Sequence, residues 1–206
     1  MANIKTVSLT TEEYIKIIEA IQQGFIYSDV SGKQHKFRPN EKLSLIVFLQ
    51  AYVGLRIGDI LKLRLIDIVR VKNEYHFNDY IEQKTGKKRD FYIPDSVYHR
   101  INTYAMEKGI SKEQSLFNPK GTSQPERAIQ KQIAIVRDYL GMEKVSTHSF
   151  RKTYATNMYI ESGFNIELTR VAMQHTSVVT TQNYVDIKSE QLKETMQKVS
   201  DKLLIG

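Results

Sequence analysis

Apolar residues recur along the chain first at helical and then at alternating spacing. Ile15, Ile18, Ala20 and Ile21 follow Leu9-Thr10-Thr11-Glu12-Glu13, where a threonine hydroxyl can accept an orphan amide, so a helix is predicted from that cap to Gly24. The polar stretch 28–38, with its glycine and histidine, is expected to be a loop. Pro39-Asn40-Glu41 then opens a run, 43–55, apolar enough to predict a largely buried helix that ends at Gly54-Leu55-Arg56. After a short turn at 58–63 the spacing changes. Residues 65–71, 75–83 and 88–93, rich in Ile, Val, Tyr and Phe, predict three strands, the last two joined by a hairpin turn at Lys84-Thr85-Gly86-Lys87. Pro94 stops the sheet. Helices are predicted at 95–108, 124–140, 149–162, 165–174 and 188–203, interrupted by the 118–123 loop and by Gly141 and Gly163.

The expected fold class is therefore α+β, mainly α-helical, with a small three-stranded antiparallel sheet embedded in helices. No repeat, low-complexity tract or Ser/Gly linker divides the 206 residues, which read as one domain. The final helix places Leu192, Met196, Val199 and Leu203 in one stripe. Packing on the domain's own core is the expected role of that stripe, and docking on a neighbour is the alternative.

Composition narrows the chemistry. With 41% hydrophobic and 26% charged residues the chain can bury a core. It has no cysteine, which removes disulfides, thiolate metal sites and cysteine nucleophiles and leaves Tyr, Ser, Lys, His and carboxylates for covalent work. Thirty Lys and Arg against twenty-three Asp and Glu give a net charge of +7, which favours a polyanionic partner, nucleic acid first. No apolar run approaches the roughly 18 residues that span a bilayer, and the first ten residues lack a secretory apolar segment, so the expected location is the cytoplasm.

Thr85-Gly86-Lys87-Lys88 lacks the earlier glycine and the following Ser or Thr of a phosphate-binding loop, and no histidine lies one helical turn from His148 or His175 to make a metal pair. More informative is His148-Ser149-Phe150-Arg151 at a helix start, because a three-residue separation puts an imidazole and a guanidinium on one face, within reach of one phosphate. Taken alone, the fragment reads as a helix cap with a surface ion pair. It is accompanied, however, by Gly54-Leu55-Arg56-Ile57-Gly58-Asp59 upstream, and downstream by Met173-Gln174-His175-Thr176-Ser177 and, nine residues after that histidine, Tyr184 in Thr181-Gln182-Asn183-Tyr184-Val185-Asp186.

Together these segments resemble the catalytic domain of the tyrosine recombinases, the phage-integrase family, in the right order and over about residues 8–195. By the resemblance, Arg56 matches the first catalytic arginine, Asp59 the acidic residue that buttresses the site, and Lys84 the lysine of the β-hairpin. His148 and Arg151 fill the His-x-x-Arg motif, His175 the later His-or-Trp position, and Tyr184 the nucleophile. Lys87 rivals Lys84 for the hairpin role. Lys87, Lys88, Arg89 and Lys152 are candidate DNA phosphate contacts. His35, His76 and His99 match no motif and read as surface or structural residues.

The chemistry is coherent in its own right. Attack on a phosphodiester builds charge on nonbridging oxygens, which Arg56 and Arg151 would stabilise by planar, permanently charged, bidentate contacts. A phenol ordinarily ionises near pH ~10, so Tyr184 would lose its proton beside cations or to a base, with His148 the nearest candidate. The resemblance implies a 3′-phosphotyrosine and a free 5′-hydroxyl, protonation of that hydroxyl by Lys84, a phosphate contact from His175, and no metal or other cofactor. It also implies double-stranded DNA as substrate, a monomer that forms a homotetramer on DNA, and accessory DNA-bending factors, as in integrases of mobile elements. Only about nine residues precede the first helix, so the N-terminal clamp domain of most members is expected to be absent; the chain reads as the catalytic part of a longer integrase, and a compact single-domain member of the family is the alternative. Two departures from the pattern are Gln174, where the family usually has glycine, and Asp59, where glutamate is common. The alternative functions are a topoisomerase of type IB, relaxing one duplex, and a noncatalytic DNA-binding protein that keeps the fold.

Overall fold

The computed structural model describes residues 6–81, 86, 88–123, 125–185 and 189–204. Helix α1 (Thr11–Gln23) begins at the predicted cap: the Glu13 amide donates to Thr10 Oγ1 at 3.0 Å, and the Thr10 amide donates to the Glu13 carboxylate at 2.7 Å. Such reciprocal capping is worth about 1 kcal/mol. Two short strands follow, β1 (Phe25–Ser28) and β2 (Gln34–Phe37), antiparallel with Phe25 opposite Phe37. This ribbon replaces the loop expected at 28–38. It holds because Phe25 stacks on Phe37 and on Tyr139, at centroid distances of 4.8 and 3.9 Å, while Asp29 accepts from the Ser31 and Lys33 amides across the turn.

Helix α2 (Glu41–Val53), capped by Asn40, is apolar on nearly every face and buries Leu43, Leu45, Ile46, Val47, Leu49 and Val53. A helix of that composition must be wrapped by others. Helix α3 (Ile57–Ile60) is a single turn. The strand predicted from residue 65 starts three residues later, because the Asp67 carboxylate accepts from the Arg64 amide at 3.1 Å and closes a 3-10 turn over Leu65–Asp67. Strands β3 (Ile68–Val71), β4 (Glu74–Ile81) and β5 (Lys88–Ile93) form an antiparallel sheet in that order, pairing Ile68 with Phe77, Phe77 with Phe91, and Ile81 with Lys88.

Helices α4 (Asp95–Glu107), α5 (Pro125–Tyr139), α6 (Thr147–Glu161) and α7 (Ile166–Met173) follow the predicted spans to within about two residues. A short α8 (Val178–Gln182) has no predicted counterpart, and α9 (Ser189–Leu204) completes the described chain. The three-stranded sheet meets the helices through Phe77 and Ile93, both buried, and through Tyr75, whose ring stacks on Tyr98 of α4 at 3.7 Å. Helix α6 packs on α2, and the core cluster is built from residues 9–150. Among the described residues, no α9 side chain belongs to that core. Met196, Val199 and Leu203 are 63%, 51% and 76% exposed, so the expectation that their stripe covers the domain's own core is corrected for the described residues. No helix among the described residues is long and apolar enough to cross a membrane.

Candidate active site

Helix α6 starts with Ser146, whose hydroxyl accepts from the His148 amide at 3.2 Å while its own amide donates to Ser149 Oγ at 3.1 Å. This cap sets the first turn so that His148 is exposed while Arg151, three residues on, has no exposed surface. A guanidinium keeps its charge in any protein environment, and burying it is costly unless fixed partners receive its protons. Arg151 Nη1 donates to the Gly54 carbonyl, Nη2 lies 3.4 Å from His175 Nε2, and the guanidinium carbon is 5.4 Å from the centroid of the Tyr184 ring.

Gly54 makes the first of these contacts possible. It ends α2 in the left-handed conformation, φ 63° and ψ 18°, and a Cβ there would come within 2.1 Å of the Tyr154 ring. Conformation and close approach both require glycine. Two residues later Arg56 caps α3. Arg56, Asp59, His148, Glu126 and Gln130 line a concave site of about 440 Å³, with Asp59 only 2% exposed.

The other wall comes from α7 and α8. Gln174 closes α7 in the left-handed region, φ 53° and ψ 35°, a conformation that costs a side-chain-bearing residue on the order of 1 kcal/mol. The His175 amide donates to the Arg170 carbonyl at 3.0 Å, and Arg170 Nη1 donates to the His175 carbonyl at 2.8 Å. Arg170 Nε bonds both carboxylate oxygens of Glu167 at 2.9 Å, and this hydrogen bond holds the Glu167 carboxyl below its usual range. The His175 ring is buried, with Nδ1 3.1 Å from Thr181 Oγ1. Because the Thr181 hydroxyl donates to the Ser177 carbonyl at 3.4 Å, it accepts from His175, which assigns the ring proton to Nδ1 and turns the Nε2 lone pair toward Arg151. One turn beyond Thr181, the Tyr184 amide donates to the Thr181 carbonyl at 2.8 Å, and the Tyr184 ring lies 4.9 Å from that of His175.

Arg151, His175 and Tyr184 are thus in mutual contact, and Arg56, Asp59 and His148 share the adjoining concavity through α6 and the Gly54 turn. Lys84 and Lys87 lie outside the described residues. Lys88 is exposed at the start of β5, and Arg89 follows it in the same strand. Lys152 is buried on α6, at 6% exposure. Sequence reasoning quoted Gly54 and Thr181 inside motifs without giving either a task, and missed Arg170, Glu126 and Gln130. Arg170 carried a legible signal, an acid–base pair with Glu167 at helical spacing. Glu126 and Gln130 carried none, being distant in sequence from every residue they adjoin. An apolar hollow of about 220 Å³ lined by Leu9, Tyr14, Phe48 and Tyr52 holds none of the predicted residues.

The sequence matches the model of the phage integrase family over residues 8–191. The chain belongs to the phage integrase family. Among curated phage integrase relatives, it is 29% identical over 199 residues to the tyrosine recombinase XerA of Pyrococcus furiosus, an alignment covering 94% of this chain and 62% of XerA. It is 30% identical over 161 residues to the probable integrase/recombinase YoeC of Bacillus subtilis, covering 77% of this chain and 84% of YoeC. The tyrosine recombinase XerC of Caldanaerobacter subterraneus aligns at 25% identity over 92% of this chain and 50% of its own length. The chain therefore spans 62% and 50% of the lengths of these two Xer proteins. Among solved structures, the fold is shared with a XerH site-specific recombinase bound to palindromic difH substrate, at a TM-score of 0.71 and 20% identity over 95% of this chain and 53% of that one. It is shared also with XerA recombinase, at a TM-score of 0.66 and 20% identity over 96% and 65%. The α+β, mainly helical class expected from the sequence is the class of the fold shared with these structures.

Proposed function

We propose that this chain cuts and rejoins double-stranded DNA as the catalytic part of a site-specific recombinase or integrase. The observation that carries the reading is the buried Arg151 held between the Gly54 carbonyl and His175, with the Tyr184 ring against both cation and imidazole. Tyr184 Oη attacks the scissile phosphorus, the bond from phosphorus to the 5′ oxygen breaks, and a 3′-phosphotyrosine forms. His148 takes the phenol proton and Lys84 supplies one to the leaving 5′ oxygen, Lys87 being the alternative donor. Arg56 and Arg151 hold the nonbridging oxygens with preorganised donors, the kind of contact whose removal costs ~10²–10³ in rate. The phosphotyrosyl ester keeps the energy of the broken bond, so a 5′-hydroxyl from either duplex reverses the step.

Lys88, exposed beside the β4–β5 connection, and Arg89, next to it in sequence, are the candidate contacts to backbone phosphates. The exposed apolar face of α9 supports assembly of monomers into a homotetramer on DNA. The test is covalent trapping: the chain is incubated with a pool of nicked duplexes, denatured, and resolved. A shifted band that protease removes, that chelator leaves intact and that Tyr184→Phe abolishes is the expected result. If no band forms, with or without a longer N-terminal extension, while the duplexes are still retained, the chain is a noncatalytic DNA-binding protein. Relaxation of supercoiled plasmid without strand exchange between two sites would identify a topoisomerase instead.

A further inference from the structure

Gln174 has a positive φ at a helix end where glycine would sit without strain, and it immediately precedes His175. A strained residue kept at a functional site calls for something its side chain does. The Gln174 amide Nε2 donates to the backbone carbonyl of Lys88 at 2.9 Å, across 86 positions of sequence. Lys88 opens β5, the edge strand of the three-stranded sheet, and pairs with Ile81 at the end of β4. One amide therefore joins the end of the β4–β5 pair to the residue beside His175. That histidine is itself fixed by Arg170 at its backbone and by Thr181 and Arg151 at its ring.

We propose that Gln174 is a positioning residue that fastens the β4–β5 pair to the His175 turn, so that the strand pair is held in a fixed place relative to the Arg151, His175 and Tyr184 cluster. The proposal rests on the cleavage reading above, in which the lysine that protonates the leaving oxygen lies in the residues connecting β4 to β5. Glycine at this position relaxes the backbone and deletes the link, separating conformational comfort from tethering. Glutamate keeps the length and the backbone demand but has no N–H to offer the Lys88 carbonyl.

Two measurements test it on the full chain. In hydrogen exchange read by mass spectrometry, peptides covering 88–93 exchange several-fold faster in Gln174→Gly and Gln174→Glu than in wild type, while α1 and α2 are unchanged and the melting midpoint of Gln174→Gly is equal or higher. Unchanged exchange in 88–93 overturns the tether. In single-turnover cleavage, each variant is about tenfold slower than wild type on an ordinary duplex. On a duplex with sulfur replacing the 5′ bridging oxygen, each stays within twofold of wild type, because a thiolate leaves without a proton donor. Equal losses on both duplexes, or no loss on either, overturn the positioning role. Failure of the wild type to form a Tyr184 adduct with either duplex, with or without a longer N-terminal extension, overturns the cleavage reading itself, and the exchange experiment then still decides the tether.

Discussion

Helices α6 and α9 are nearly equal in length and opposite in what they hide. Helix α6 buries Thr147, Ser149, Arg151, Lys152, Thr153 and Thr156, whereas α9 turns Met196, Val199, Leu203 and Leu204 to solvent. Several polar groups inside α6 are held by hydrogen bonds. The Thr153 hydroxyl donates to the Ser149 carbonyl at 2.9 Å and accepts from the Leu9 amide at 2.9 Å, and Arg151 has the partners described above. Buried polar groups cost little once hydrogen-bonded and much when not. Hydropathy alone inverts the two helices. In this molecule the buried polar face carries residues of the proposed active site, and the exposed apolar face is the one proposed above to take part in assembly.

The contrast is broken most severely at Arg151. Arg151→Ala leaves the Gly54 carbonyl and His175 without their donor inside the core, and about 3–5 kcal/mol of unfolding free energy should be lost in urea titration, with no detectable adduct. Arg151→Lys keeps a charge but not the fork, so cleavage should fall by ~10²–10³ with a smaller stability loss. A wild-type urea midpoint in Arg151→Ala would show that the guanidinium is not held in the core. Next in size is Gly54→Ala, where left-handed strain and overlap with Tyr154 together should cost about 2–4 kcal/mol. Adding Tyr154→Ala relieves the overlap but not the backbone, so the double variant should lose less than the sum of the singles.

On α9 the paired substitution Met196→Ser and Leu203→Ser should change stability by less than about 0.5 kcal/mol while reducing higher-order complexes on DNA in gel-shift titrations. A loss above about 1 kcal/mol would place α9 on the core after all. The smallest effect belongs to the β1–β2 turn. Hydrogen bonds from Ser31, His35 and Lys33 hold the Asp29 carboxyl far below its usual 3.8. Its folded pKa is depressed, so the stabilisation is complete above pH 3.8 and is lost only as pH falls through the lower folded value. Amide shifts of Ser31 and Lys33 should therefore stay native through pH 3.8, and Asp29→Asn should remove that acid dependence.

Legibility in the sequence tracked local chemistry. The Thr10 and Glu13 cap, the all-apolar α2 and the His148-to-Arg151 spacing each state their structure within a few residues, so α1, α2 and α6 lie where their patterns predict. The resemblance supplied Tyr184 and His175 in order, and the structure places their rings together. What escaped was settled by distant partners. Phe25 becomes a strand residue because Tyr139 is there to stack on, and Lys152 goes inside because α6 faces α2. Helix α8 is too short to show a period, and its role, carrying Thr181 beneath His175, is visible only in space. The α9 stripe showed which face is apolar; what covers it is a property of neighbours.

The seat of Arg151 has one more consequence. The Gly54 carbonyl stands at the C-terminal end of α2, where aligned peptide dipoles amount to roughly half a negative charge. A thirteen-residue, mainly apolar helix therefore serves through its backbone as counter-ion to Arg151. A carboxylate in that place would neutralise the guanidinium fully and could take up a proton. A helix terminus offsets only part of the charge and cannot be titrated, so in the reaction proposed above the remainder of Arg151's field would be available to a phosphate at any pH at which α2 stays folded.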